Sequence, residues 1–266
     1  MKRTTAGERL FSLIRDEVLD SAGEGHVRWS NLESLFEHMG NDVNYGYYVK
    51  GAIAINILRR LLRFWEAEMP LSADESTYVR KVSAFIRQEV FPGLDASFVN
   101  RLARSVIEAQ AASFRPINPQ VREAVIGERR TLRCYLCSCD LDPAAAEGDP
   151  AFLTLEHLWP QSIGGNSIEE NLLPACTRCQ DTTKDTASWE WFNIHNLVLP
   201  SVPSRGALNS IPRKAKFARH YMEAIRLADE DNLILKEAFT RLGPINPTIT
   251  HVNTGSPVTF FDIKTA

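Results

Sequence analysis

Hydrophobic residues recur at helical spacing over most of the first 127 residues. Thr5 with Glu8, and Ser72 with Glu75, have the capping-box spacing that often precedes a helix, because each side chain of such a pair can bond a backbone N–H of the first turn. The pattern predicts one helix from Thr5 to Leu19, one over about 43–68, one capped by Ser72 and ended by Pro92-Gly93, and one over about 95–114. A shorter helix is predicted between Ser30 and Gly40.

The pattern of the chain changes after "RPINP" at 115–119, because each proline disfavours a helical conformation in the residue before it. Short strands are predicted at 131–137 and 151–157, followed by a polar loop and a helix that begins near Cys176. This order predicts a small ββα unit. Helical spacing returns over 211–241, and the late apolar segment "VTFFDI" predicts a further strand or a segment that docks on a surface.

Composition adds that the chain is an ordinary soluble protein, with 44% hydrophobic and 24% charged residues. The apolar run "GAIAINIL" at 51–58 is too short to span a membrane, and the N-terminus has no apolar region typical of a secretory signal. We therefore expect a cytoplasmic protein without a membrane partner. Charge is uneven: residues 128–200 carry 5 Lys or Arg and 11 Asp or Glu, whereas residues 201–266 carry 9 and 6.

Four of the five cysteines form two C-x-x-C pairs, Cys134 with Cys137 and Cys176 with Cys179. Each such turn presents two sulfurs to one metal, and four thiolates suit tetrahedral zinc. We expect a structural Zn²⁺ on these four residues, since four thiolates leave no coordination position open for a substrate. Cys139 is then spare, although it could replace one ligand through a less favourable C-x-C turn.

A specific series of residues lies between the cysteine pairs: Glu156-His157, Pro160, Gly164-Gly165 and Asn171-Leu172. His157 is a candidate general base, because a neutral imidazole is available near pH 7. Glu156 offers a hard oxygen ligand for Mg²⁺ or Mn²⁺, which would stabilise the charge that develops when a phosphodiester is cut.

The whole series, read from Cys134 to Lys184, resembles the HNH endonucleases of the ββα-metal class, in the subgroup with a four-cysteine zinc knuckle. The resemblance covers about residues 131–190. It implies that His157 activates water, that Glu156 binds the catalytic metal, and that Asn171 braces the loop carrying the histidine through backbone hydrogen bonds. It also implies a role for a lysine shortly after the last cysteine, here Lys184.

One position departs from this family pattern. The family usually has His or Asn directly after the last cysteine as the second metal ligand, and here that residue is Gln180. Asp181 is the better ligand by type but lies one residue further along the helix, and Lys184 is also one residue late. A one-residue shift of the helix start would explain both, so we favour Asp181 and keep Gln180 as the alternative.

The predicted fold class is α+β, mostly helical. It comprises an N-terminal helical domain (1–127) for a partner or for regulation, a zinc-stapled ββα-metal module (128–200), and a basic helical C-terminal extension (201–266). The extension contains a basic cluster that we expect to contact nucleic acid: Arg213, Lys214, Lys216 and Arg219.

The function expected from this resemblance is a metal-dependent endonuclease acting on DNA, as an effector of a bacterial phage-defence or restriction system. Two alternatives stay open: a nuclease that cuts RNA, and a zinc module that has lost catalysis and binds proteins. Because the module is acidic, we expect a partner, such as an ATPase or a DNA-binding subunit docked on the helical domain, to deliver the substrate.

Overall fold

The structure is a computed structural model, and it describes residues 1–19, 43–68, 74–113, 115–127, 132–183 and 213–245. These residues form eight α-helices and two small antiparallel sheets, which confirms a mostly helical α+β fold in general terms. The chain divides into two compact units. A helical unit comprises Thr4–Arg115 with Gln161–Asn166, and a mixed unit comprises Met1–Arg3, Pro116–Pro160 and the chain from Ser167 onward.

Four α-helices build the helical unit: α1 (Ala6–Ser12), α2 (Val43–Glu68), α3 (Glu75–Phe85) and α4 (Ala96–Ser113). α1 continues as a π-helical turn to Val18, and α3 does so to Val90. The core between the helices is formed by fully buried aliphatic and aromatic side chains, among them Leu10, Phe11, Ile14, Leu58, Leu61, Leu102 and Val106.

The helix starts show which caps the sequence identified. The capping box of Thr5 and Glu8 is present, as predicted. The predicted cap at Ser72 is wrong for α3: its N-cap is Asp74, whose Oδ1 accepts a 2.7 Å hydrogen bond from the Thr77 N–H. The pKa of Asp74 is lowered, first by this backbone bond, because the bond favours the ionised carboxylate. Ser72 itself and the helix predicted over 30–40 lie outside the described residues.

The mixed unit contains all of the strands: β1 (Leu132–Arg133), β2 (Asp140–Leu141), β3 (Leu153–His157) and β4 (Leu172–Cys176). It also contains four helices: α5 (Pro119–Ile126), α6 (Thr177–Thr183), α7 (Arg213–Glu230) and α8 (Leu235–Leu242). Its hydrophobic core packs Leu132, Leu136, Leu141 and Leu153 around the cysteines, with Phe217 of α7 against them.

The pairing of the strands corrects the predicted ββα unit. β3 pairs antiparallel with β4 over five residues, from Leu153 opposite Cys176 to His157 opposite Leu172, and α6 follows directly. The segment predicted as the first strand instead pairs with β2 in a hairpin of two residues each. A ββα arrangement is therefore present, and the strand predicted at 151–157 is confirmed as β3. Its partner is β4 at 172–176 rather than the segment 131–137.

The two compact units do not coincide with the three predicted segments, whose roles stay predictions. α5 belongs to the mixed unit, and the loop Gln161–Asn166 belongs to the helical unit. Within the described ranges, no helix is both long and apolar enough to cross a lipid bilayer. The predicted "VTFFDI" segment lies outside the described residues.

Candidate functional site

The cysteines of the mixed unit gather around a tight turn between β1 and β2. The Cys134 N–H donates to the Cys139 carbonyl at 3.0 Å, and Ser138 between them has a left-handed backbone with φ of 60°. The Sγ atoms of Cys134, Cys137, Cys139 and Cys176 all lie within 4.8 Å of one another. Two of these sulfur pairs are separated by 3.4 and 3.7 Å, near the ~3.8 Å edge of a tetrahedron built with Zn–S bonds of ~2.3 Å.

Thiolates in this arrangement suit a tetrahedral ion such as zinc, so the group is a candidate metal site. Its membership differs from the predicted set, because Cys139 takes the place of Cys179. Cys179 is nevertheless fully buried. A hydrogen bond from the Cys179 thiol is the first cause that lowers the pKa of Cys134 to about 4. Five sulfurs thus surround the site, and the two candidate ligand sets share Cys134, Cys137 and Cys176.

Glu156 and His157 lie at the opposite end of the β3–β4 hairpin from Cys176. Because adjacent residues of a strand point to opposite faces, the two side chains diverge. Glu156 is buried, with 7% of its surface exposed, and its Oε1 accepts a hydrogen bond of 2.8 Å from Thr183 Oγ1 of α6. His157 is half-buried, and its Nε2 lies 3.0 Å from Ser167 Oγ.

Asn171 makes the kind of backbone hydrogen bonds that the resemblance implies. Its Oδ1 accepts from the Trp159 N–H at 2.7 Å, and its Nδ2 donates to the Trp159 carbonyl at 3.0 Å. Its own carbonyl accepts from the Leu158 N–H at 2.9 Å. Both Asn171 and Trp159 are buried. The two residues that follow His157 are therefore held by three hydrogen bonds to one asparagine.

The orientation of α6 relative to Glu156 indicates which residue, Gln180 or Asp181, could be the second metal ligand. Thr183 contacts Glu156, and at about 100° per residue Gln180 lies within ~60° of Thr183 around the helix axis, whereas Asp181 lies ~160° away. Gln180 is half-buried and Asp181 is exposed. The helix therefore turns Gln180, rather than the favoured Asp181, toward the Glu156 side. Lys184 lies outside the described residues.

The chemistry of these donors fits a hard divalent cation. Glu156 supplies a carboxylate and Gln180 supplies an amide carbonyl, and Mg²⁺ commonly takes one or two protein oxygens while it keeps several waters. The predicted nucleic-acid residues Arg213, Lys214, Lys216 and Arg219 fall in the first two turns of α7. Their side chains lie outside the described part of the chain.

The loop between β3 and β4 contains Gly164 and Gly165. Gly164 has φ of 86°, a backbone conformation that favours glycine. Its carbonyl accepts from the Gly7 N–H at 2.8 Å, and the Ala6 N–H donates to Asn166 Oδ1 at 2.7 Å. A Cβ on Gly164 would lie 2.8 Å from the Ala109 Cβ. The glycine is thus needed for close approach to α1 and α4 as well as for the turn.

Sequence reasoning missed three residues next to the predicted site: Ser167, Thr183 and Tyr135. Two of them contact His157 and Glu156 through hydroxyl groups. Burial raises the pKa of Tyr135 well above its ordinary value, and the charge of Glu156 is the next cause, so this phenol stays protonated. No sequence spacing predicts which side chain a serine or threonine hydroxyl will contact. For Thr183, the one available indication was its position three residues after Gln180, on the same face of the helix.

Comparisons with models of protein families, with curated proteins and with solved structures find no match to this chain. The assignment of a function therefore depends on the geometry of these residues.

Proposed function

We propose that this chain is a metal-dependent endonuclease of the HNH type that hydrolyses phosphodiester bonds in DNA, as an effector in defence against foreign DNA. The observation that carries the proposal is the clamp of Asn171 on both backbone groups of Trp159, two residues after His157. The resemblance implies a hairpin whose first strand ends in Glu-His, with an asparagine that braces the chain after the histidine and a short helix after the second strand.

In the proposed reaction, His157 accepts a proton from the attacking water at one of its ring nitrogens. Ser167 is within hydrogen-bond distance of Nε2, so it orients the ring and influences which nitrogen carries the proton. A Mg²⁺ or Mn²⁺ held by Glu156 and Gln180 would stabilise the charge that develops on the leaving oxygen. The opposite faces of Glu156 and His157 support an arrangement in which base and metal approach the phosphate from different sides.

Zinc has a structural role in this proposal. The cysteines hold the β1–β2 turn beside the start of α6, at the end of the hairpin away from His157. A zinc ion there would link these two chain segments of a unit whose strands are short, and would thus replace part of a hydrophobic core. The competing proposal, a zinc module that binds proteins without cutting, is favoured by Gln180, which is an unusual ligand for a catalytic metal.

The test is incubation of the purified chain with supercoiled plasmid, linear duplex and single-stranded RNA in Mg²⁺ or Mn²⁺. Because the lone chain should bind DNA weakly, we expect slow cutting of DNA that EDTA stops. His157→Ala should lower this cutting by about 10²–10⁴-fold, the usual contribution of a general base. Glu156→Ala should do the same, whereas Glu147→Ala, an exposed carboxylate of the same unit, should not.

The outcomes separate the proposals. Cleavage of RNA alone would support the RNA nuclease. A His157→Ala protein that retains zinc and cuts like the wild type would assign any activity to another site or to a contaminant. If the wild-type chain with added divalent metal cuts neither DNA nor RNA even at low salt, where binding is strongest, the non-catalytic zinc module becomes the better assignment.

A further inference from the structure

We infer that Thr183 is a positioning residue, whose hydroxyl orients the Glu156 carboxylate for a divalent cation. The inference deepens the proposed function and rests on it. Thr183 Oγ1 lies 2.8 Å from Glu156 Oε1, 27 positions apart in the chain. Nothing in the cysteine or histidine pattern of the sequence requires a hydroxyl group at this position.

The geometry fixes the direction of the hydrogen bond. A threonine hydroxyl has one proton, and an ionised carboxylate can only accept. Thr183 Oγ1 is also 3.1 Å from the Gln180 carbonyl and 3.2 Å from the Cys179 carbonyl. Such bonds to the preceding helical turn are the ordinary alternative for a threonine in a helix. The contact with Glu156 is the shortest of the three, and a charged acceptor forms the stronger bond.

Burial makes this hydrogen bond consequential. Glu156 is only 7% exposed, so water cannot readily replace a lost donor, and an ionised carboxylate in such a place depends on its protein partners. Fixing Oε1 also fixes the rotation of the carboxylate group, and so sets the direction in which its oxygens approach a cation. Groups that hold a metal ligand in this way typically change metal affinity by about 10–100-fold when they are removed.

The helix provides a matched control. Thr182 is the neighbouring threonine of α6, and its hydroxyl donates to the Arg178 carbonyl at 2.8 Å. Thr183→Val and Thr182→Val each remove one hydroxyl at nearly constant shape from the same helix. Only the first removes a hydrogen bond to Glu156. Thr183→Ser restores a hydroxyl and should restore the metal affinity.

The experiment measures Mn²⁺ binding to the zinc-loaded full-length chain by electron paramagnetic resonance and calorimetry, without substrate. We expect Thr183→Val to weaken the binding that depends on Glu156 by about 10–100-fold, while Thr183→Ser and Thr182→Val stay within about twofold of the wild type. Zinc content and circular dichroism verify the fold. If Thr183→Val does not fold, Thr183→Ala against Thr183→Ser makes the same comparison.

Failure of the inference is distinguishable from failure of the proposed function. If Thr183→Val binds Mn²⁺ as tightly as the wild type, the inference is wrong even when Glu156→Ala and His157→Ala abolish cleavage. If the wild type binds Mn²⁺ through Glu156 with the expected dependence on Thr183 but cuts no nucleic acid, the inference stands and the nuclease proposal fails. Wild-type protein without a Mn²⁺ site at Glu156 would overturn the inference as well.

Discussion

His220 of α7 is a buried titratable residue with an incompletely bonded ring. The residue is 8% exposed, its ring contacts the ring of Phe239, and Nε2 has no hydrogen-bond partner among the described residues. Burial lowers the pKa of His220 below its ordinary 6.5. This effect is larger than the opposing effects of the Glu223 charge and of the hydrogen bond to the Gly243 backbone, which raise the pKa. The folded protein therefore holds this histidine neutral.

This burial predicts a pH dependence of stability. A histidine whose pKa is lowered by folding binds its proton more readily in the unfolded chain, so its contribution to stability is complete above pH 6.5 and is lost as the pH falls through the folded pKa. We expect His220→Asn, which does not titrate, to lose less stability than the wild type between pH 7.5 and 5.5. Urea denaturation followed by circular dichroism measures this; equal losses in the two proteins would contradict it.

At the level of single residues, the sequence identified those that carry distinctive chemistry. Glu156 and His157 were found because their chemistry suits phosphodiester hydrolysis and because their order between the two cysteine pairs is distinctive. Asn171 was found through the resemblance. Thr183 and Ser167 were not found, because a hydroxyl contacts whatever the tertiary fold brings near it. The choice between Gln180 and Asp181 likewise depends on how α6 is rotated about its axis. A shift of the helix start by one residue changes that rotation by about 100°.

At the scale of elements, the loop Gln161–Asn166 depends on a glycine. Gly164 combines a positive φ of 86° with close contacts to Gly7 and Ala109. Gly148 has a similar φ of 95°, but a Cβ there would meet nothing within 4 Å. The two glycines therefore separate the cost of backbone strain from the cost of steric overlap.

We expect Gly148→Ala to cost about 1–2 kcal/mol of unfolding free energy from strain alone. Gly164→Ala should cost about 1–3 kcal/mol more, because its methyl group also overlaps the packed side chain of Ala109. Urea denaturation of the two variants gives the difference. Equal losses would mean that α1 and α4 yield to the added methyl group.

The β1–β2 turn carries the prediction on zinc. We expect about one zinc per chain in freshly purified protein, and we expect Cys179→Ala to lose it while Cys139→Ala retains it. The physical reason is that Cys179 is buried beside Cys134 in the second C-x-x-C pair, whereas Cys139 lies on the partly exposed side of the turn. Metal analysis by mass spectrometry measures the zinc. The reverse ranking would assign the ion to the tighter group that includes Cys139.

Elements with strong periodicity were predicted well, and those set by pairing were not. α2 has the predicted bounds of 43–68, because a long amphipathic run leaves little choice of structure. β4 was missed because "LLPAC" is short and contains Pro174, which weakens a strand pattern. Its conformation is specified by pairing with β3, from Leu153 opposite Cys176 onward, and such nonlocal contacts are not visible in local spacing.

At the scale of the whole molecule, the sequence indicated a change of structure at 115–119 but not that a later loop belongs to the helical unit. The proline-rich segment at 115–119 lies at the boundary between the compact units. The assignment of Gln161–Asn166 to the helical unit follows from tertiary contacts that no composition change marks. The charge distribution, by contrast, follows directly from the sequence. Residues 128–200 carry 5 basic and 11 acidic side chains, and this excess of negative charge is unfavourable for binding a phosphate backbone.

This charge predicts weak binding of nucleic acid by the isolated chain. Nonspecific affinity for DNA comes mainly from Lys and Arg that displace condensed counterions, so we expect a dissociation constant of about 10⁻⁴–10⁻⁶ M at physiological salt, with a steep dependence on salt. The basic residues at the start of α7 should supply much of it. Lys214→Glu with Lys216→Glu should therefore weaken binding further, as measured by fluorescence anisotropy with a short duplex.

A control of equal charge separates a local contact from a general effect of net charge. Arg80→Glu with Lys81→Glu makes the same change on the exposed surface of α3, and we expect it to weaken binding less. If the two double variants lose the same DNA affinity, the basic residues of α7 have no special role in binding. Nanomolar binding and fast cutting by the lone chain at physiological salt would contradict the need for a partner that delivers DNA, since the module would then overcome its own negative charge unaided.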